Sequence, residues 1–393
     1  MKILLVCGFF DTSMSSFREN QFSRRLAGRG HHVRVLTSNA PMRWRWNRAR
    51  IPASDPTLRE NEYEAIPNLK IIRRKPYMRL GDLVLFRLSD NDFSWADVVH
   101  VLDFRQGITA LAAKRASDLG KPVVYDHEQR GDRCATPLHR LDNIVRRAFI
   151  KYGASAPAIV RHTVFANRDY FLSVTGREDV EFSLAPLGVD AQQFKPDPEL
   201  RKVTRKELGV RHDEVAWIAT GRIEVEKRFH QVARGLRHIG ARLFIAGPVS
   251  KNAAKLLSRS ENVVLLGPKK PEELNAIFNA ADCCIFTTFT VSYWEALGSG
   301  SCILVPRTSF SEEIVGGRPG VTLFGSEEMF DVPEERYRAD VDLADIIHDT
   351  LTSTKMPNRL RLDEPPAWLS WDARIDTLEW QYSRLVQSKG DCP

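Results

Sequence analysis

No apolar run in this 393-residue chain approaches the ~20 residues that a bilayer-crossing helix needs. Cysteine is scarce. The six residues (Cys7, Cys134, Cys283, Cys284, Cys302 and Cys392) include no CxxC pair and no metal-ligand spacing, which excludes a zinc module and a disulfide-stapled scaffold. Low-complexity segments and short repeats are also missing. The first apolar run, Lys2–Phe10, meets Asp11 at once without a small-residue cleavage site, so it reads as a buried first strand rather than a secretion signal. The expected location is the cytoplasm, with peripheral contact at the inner face of the cell membrane.

What is present suits a large folded protein. Hydrophobic residues make up 43% and charged residues 27%, enough to bury the cores of two or three domains. The net charge is +7, unevenly spread. Residues 1–50 carry ten Lys/Arg against two Asp/Glu, and residues 301–350 carry four Arg against eleven Asp/Glu. Such asymmetry points to an anionic partner near the N-terminal part.

Short apolar runs alternate with segments of helical period. Strands are expected at Lys2–Phe10, His32–Thr37, Asp97–Leu102 and Pro122–Tyr125, and helices at Phe17–Arg29 and Gly107–Leu119. A second series follows, with strands at Val215–Thr220, Leu243–Ala246, Val263–Leu266, Cys283–Thr287 and Cys302–Val305 and helices between them. This rhythm predicts two α/β domains with doubly wound parallel sheets, joined near the turn-rich stretch from Pro186 to Pro198. The segment Trp371–Gln387 places Ile375, Leu378, Tyr382 and Leu385 at helical spacing.

Four constellations are candidates for chemistry. Thr220-Gly221-Arg222-Ile223-Glu224-Val225-Glu226-Lys227-Arg228 is a strand end leading into a helix, where a Gly turn and cations hold a phosphate; in the alternative reading its glutamates pair its own cations. Thr287 to Gly300 contains Ser292-x-x-Glu295, which fits a capping box. The same carboxylate is equally suited to accept from a pair of sugar hydroxyls, with the N–H groups of Val291, Ser292 and Tyr293 open to a phosphate. Asp126-His127-Glu128-Gln129-Arg130-Gly131-Asp132-Arg133 follows an apolar strand as a possible active-site edge, and His127 is either an active-site residue or a satisfied loop histidine. Arg43-Trp44-Arg45-Trp46, inside a stretch of four arginines and two tryptophans over residues 43–50, suits an anionic membrane surface. Single-stranded nucleic acid and a plain exposed loop are its alternatives, and nucleic acid is not the expected partner.

Taken together, Ala219–Lys227, Ala246-Gly247-Pro248, Glu273 to Asp282, Tyr293–Gly300, Glu312–Val315, Met1–Leu4 with Leu26–Val33, and Leu187-Gly188-Val189-Asp190 with Phe194 resemble the retaining GT-B glycosyltransferases of family 4 over most of the chain. The resemblance implies two Rossmann-like doubly wound domains facing across a cleft. Residues 1–188 would form the acceptor side and 189–367 the nucleotide-sugar side, with a helix in 368–393 packing back on the first. It implies a nucleoside-diphosphate sugar as donor, a glycan, lipid or small-molecule acceptor, and no cofactor or metal. By resemblance Arg222 and Lys227 bind the donor diphosphate, Glu295 the ribose, and His127 lies near the donor sugar. Thr287, Val291, Ser292, Tyr293, Gly221, Gly247, Ser15 and Ser16 complete the donor site. Two departures stand out. Thr287 replaces the first acid of the family's E-x7-E motif, and Ser13–Glu19 replaces its glycine-rich first turn. Both departures motivate one alternative, a nucleotide-sugar-binding protein without turnover; a GT-B epimerase acting on the nucleotide-sugar itself is a further one.

Overall fold

The computed structural model describes residues 1–13, 17–41, 55–132, 137–331, 336–353 and 367–390. The chain divides into two compact units, Met1–Pro186 with Asp372–Pro393, and Leu187–Trp371. Among the described residues no helix is long and apolar enough to cross a membrane.

In the first unit the strands are β1 (Lys2–Val6), β2 (His32–Ser38), β3 (Leu69–Arg74), the hairpin pair β4 (Pro76–Leu80) and β5 (Leu83–Phe86), then β6 (Val98–Leu102), β7 (Val123–His127), β8 (Ile159–His162) and β9 (Glu181–Leu184). All but the hairpin form one sheet in the order β3-β2-β1-β6-β7-β8-β9. Every pairing in it is parallel. Such a sheet is covered by helices on both faces, which is why the central strands read as continuous apolar runs. The helix Trp371–Gly390 belongs to this unit and buries Ile375, Leu378 and Tyr382 completely.

The second unit holds β10 (Ala216–Thr220), β11 (Arg242–Ala246), β12 (Val263–Gly267), β13 (Cys283–Ile285), β14 (Cys302–Pro306) and β15 (Val321–Phe324). Their order is β12-β11-β10-β13-β14-β15, again with every pairing parallel. In chain order this is 3-2-1-4-5-6, the doubly wound arrangement. The order reverses between β10 and β13 in the second unit, and between β1 and β6 in the first. Loops leaving the carboxyl ends of those strands diverge to opposite faces and open a crevice, so the topology marks these four loops for ligands.

Candidate functional site

In the second unit the loop after β10 is stitched to the loop after β11. The Gly221 N–H donates to the Ala246 carbonyl (3.1 Å), that of Ile223 to Pro248 (2.9 Å), and that of Ser250 to Ile223 (3.0 Å). Gly221 has φ +97° and Gly247 φ +142°, both in the region that favours glycine. A Cβ on Gly247 would overlap the Gly221 carbonyl oxygen, whereas one on Gly221 would meet nothing within 4 Å. Gly247 therefore positions the turn, and Gly221 forms its open side. A short 3-10 turn, Val225–Lys227, follows, and Arg228 enters the next helix, Phe229–Arg237, with left-handed φ 51° and ψ 33°.

The cations of this loop have separate fates. Arg228 is spent on the fold, since its guanidinium donates to the carbonyls of Val341 (2.5 Å), Tyr337 (3.0 Å) and Arg338 (2.7 Å). Arg222 and Lys227 form no side-chain hydrogen bond or ion pair among the described residues, so the reading in which the loop's glutamates pair them is not realised. Burial first, and then the positive charge of Arg222, bring the Lys227 pKa down to about 8 against the opposing charge of Glu224. Two like charges held together without a bonded carboxylate form a site whose electrostatic cost an anion relieves.

The other loop at this switch point carries Thr287 and Glu295. The Ser292 hydroxyl donates to Glu295 Oε2 (3.1 Å). The expected capping box is not formed. The helix Ser292–Gly298 begins one residue earlier than that motif requires, so Ser292 is its first helical residue and Val291 its cap. Freed from capping, the Glu295 carboxylate lies 8% exposed, and burial raises its pKa to about 7. Of the three backbone donors expected to be open, that of Tyr293 is taken by the Thr290 carbonyl (3.2 Å), and that of Ser292 is weakly engaged by Thr290 Oγ1 (3.5 Å). The Tyr293 side chain is core, packed against Phe286 and Phe289. Thr287 is buried, its carbonyl accepts from the Tyr337 hydroxyl, and its own Oγ1 has no partner in the structure.

In the first unit Asp126 and His127 lie within β7 rather than in the loop after it, because both are buried and paired. Asp126 faces Arg18 Nη1, His100 Nε2 and Arg161 Nε, each 3.2 Å away, and these partners hold its carboxyl well below the usual range. The ring of His127 stacks on Tyr170 and meets Phe171 edge-on. Burial lowers its pKa to about 4, so it is neutral near pH 7. The Phe104 N–H donates to the Tyr125 hydroxyl oxygen (3.3 Å), which leaves that hydroxyl's proton for His127 Nδ1, 2.6 Å away. The imidazole proton then sits on Nε2, a buried donor that among the described residues has only an interaction with the Gln129 backbone.

Sequence reasoning passed over Asp103 and Arg18 as site residues. Asp103 leaves β6 at the switch point with φ 54°, forms an ion pair with the Arg105 guanidinium (2.5 Å), and accepts from the Arg105 N–H (3.0 Å) and Gln129 Nε2 (3.3 Å). An aspartate directly after an apolar strand was the available signal. The expected contributors Ser15 and Ser16, and the stretch Arg43, Trp44, Arg45 and Trp46, lie outside the described residues.

No protein-family model matches the sequence, and no curated protein matches it. Solved structures do. Sucrose-phosphate synthase from Thermosynechococcus elongatus superposes with a TM-score of 0.65 at 14% identity, over 99% of this chain and 100% of that one. HepE from Anabaena, in complex with UDP, gives 0.67 at 16% identity over 98% and 100%. WaaG, a glycosyltransferase involved in lipopolysaccharide biosynthesis, gives 0.54 at 17% identity over 90% and 91%. At such identities the likeness is one of fold: the chain has the GT-B fold of two parallel-sheet α/β domains.

Proposed function

We propose that this chain moves a glycosyl group from a nucleoside-diphosphate sugar, UDP- or GDP-linked, to an acceptor hydroxyl, with retention of anomeric configuration. The observation that carries this reading is the pair Arg222 and Lys227, which among the described residues have no side-chain partner in the loop after β10, while Arg228 is consumed by the fold. When the bond between the sugar and the diphosphate breaks, negative charge gathers on the departing diphosphate. Two preorganised cations stabilise that charge more than they stabilise the bound donor, which lowers the barrier. Glu295, as a carboxylate, accepts from the ribose hydroxyls, and His127 offers a neutral N–H to a sugar hydroxyl. Retention rests on the sequence resemblance. The UDP and UDP-glucose complexes of HepE favour uridine as the base.

The test joins binding to turnover. UDP and its sugar conjugates, or their GDP counterparts, are expected to raise the melting temperature of the wild type. Arg222→Ala and Lys227→Ala are each expected to lower the transfer rate by about 10²–10³. Transfer at the wild-type rate by both variants would remove the reading. A second reading, binding without turnover, is favoured by Thr287, which offers a hydroxyl where the resemblance implies a carboxylate. Its signature is a thermal shift with UDP-glucose and neither transfer nor slow donor hydrolysis.

A further inference from the structure

We infer that the outer face of the helix Pro137–Gly153 docks on an anionic lipid surface. This goes beyond the transfer reading and does not depend on it. The helix is apolar on two sides. Its inner side buries Ile150 and presses Gly153 so close to the Phe104 ring that an added Cβ would lie 2.7 Å from it. Its outer side leaves Leu141 61%, Ile144 65% and Tyr152 51% exposed. Folding has had its chance to cover these side chains and has not, so their outward face is built for contact with something else.

The charges between them identify the occupant. Arg140, Arg147 and Lys151 are exposed on the same helix, no acid is among its exposed positions, and Arg140 and Lys151 have no ion-pair partner among the described residues. The one acid of the helix, Asp142, is half-buried and paired with Arg146 (2.7 Å). Apolar tips flanked by long cations match an interfacial helix. The tips enter the acyl boundary, while Arg and Lys extend to the headgroup phosphates. The turn between β4 and β5 is tied to the same helix through Asp82 and Arg146 (3.7 Å). That hairpin exposes Tyr77, Met78 and Leu80, two adjacent residues pointing outward where its register shifts. A protein partner would call for exposed charges of both signs, and the exposed charged positions of this helix are all cations, of which Arg147 is paired with Asp132 (2.5 Å) and Arg140 and Lys151 remain for a headgroup.

The experiment is co-sedimentation of the full chain with phosphatidylcholine vesicles, with and without phosphatidylglycerol. Wild type is expected to bind the anionic vesicles, to release them as salt rises, and to leave pure phosphatidylcholine vesicles nearly free. Leu141→Ser with Ile144→Ser is expected to lower the binding constant about 100-fold, and Arg140→Ser with Lys151→Ser about thirtyfold. Neither pair should move the melting temperature, because all four side chains are exposed. Undiminished sedimentation of the Leu141/Ile144 variant overturns the proposal, as does failure of the wild type to bind anionic vesicles. A concentration-dependent dimer that the same variant dissociates also overturns it, and would make this face a contact between two copies of the chain.

Discussion

Glu295 illustrates how a buried acid strains the fold that holds it. Its carboxyl is buried with the Ser292 hydroxyl as its hydrogen-bonding neighbour, and its pKa rises from 4.5 to about 7. Between those two values the folded state keeps a proton that the unfolded chain has released. Stability from this group is therefore full below pH 4.5 and is lost as pH climbs through 7, by on the order of 3 kcal/mol. Glu295→Gln stays neutral throughout. The variant is expected to melt close to wild type at pH 4.5 and above it at pH 7.5, while its affinity for the nucleotide falls. A variant that melts below wild type at both pH values, with nucleotide affinity unchanged, would make Glu295 a purely structural group. Wild-type nucleotide binding should tighten from pH 6 to 8 as the carboxylate form becomes populated, with proton release visible in calorimetry.

At the scale of the element, the two glycine turns after β10 and β11 do different work. Gly247 has no room for a Cβ, because the Gly221 carbonyl occupies that space, so Gly247→Ala must push the β10 loop and Arg222 out of place. Gly221→Ala carries only the cost of its positive φ, about 1–3 kcal/mol. Titration with UDP should show Gly247→Ala losing far more affinity than Gly221→Ala. Equal losses would mean that the packing of the two turns does not position the cations. These turns were legible in the sequence, because a Gly directly after an apolar strand has few other reasons to be there. The central strands were legible too, since a strand covered on both faces is apolar at every position. The edges were not. β8 reads Ile-Val-Arg-His, and its buried Arg161 pairs with Asp126 while His162 Nδ1 bonds the Val164 carbonyl, contacts invisible to periodicity. β9 and β15 are four-residue edge strands, too short to show a period. The helix Pro137–Gly153 was missed although Leu138, Leu141, Val145, Phe149 and Tyr152 recur at helical spacing along it. At the candidate site, Arg222, Lys227 and Glu295 could be read from their neighbours in sequence. The sacrifice of Arg228 could not, because its carbonyl partners come from residues 337–341, more than a hundred positions away.

On the scale of the whole molecule, the chain leaves the first unit after Pro186 and returns to it at Asp372. The two passages are bonded side by side: the Val189 N–H donates to the Leu369 carbonyl (2.7 Å), and the Trp371 N–H to that of Val189 (3.2 Å). Beyond that point the last helix is committed to the first unit. Tyr382 places its hydroxyl 2.5 Å from His100 Nδ1, and Arg29 bonds Asp376 (2.5 Å) and Glu379 (2.7 Å). Gln381 donates to Ser183 Oγ (2.8 Å), and Arg384 pairs with Glu181. A residue near the C-terminus therefore governs the stability of residues 1–186 and leaves 187–371 to its own core. Leu378→Ala, which empties a fully buried position, is expected to cost about 2–5 kcal/mol. Hydrogen exchange should show that loss as faster exchange across β1, β6 and β7, with β10 through β15 keeping wild-type protection. UDP added to the variant should still raise the protection of the loop after β10, since the cations there depend on the second unit alone. Faster exchange spread evenly over both sheets would show a single cooperative body and would contradict the division into two units.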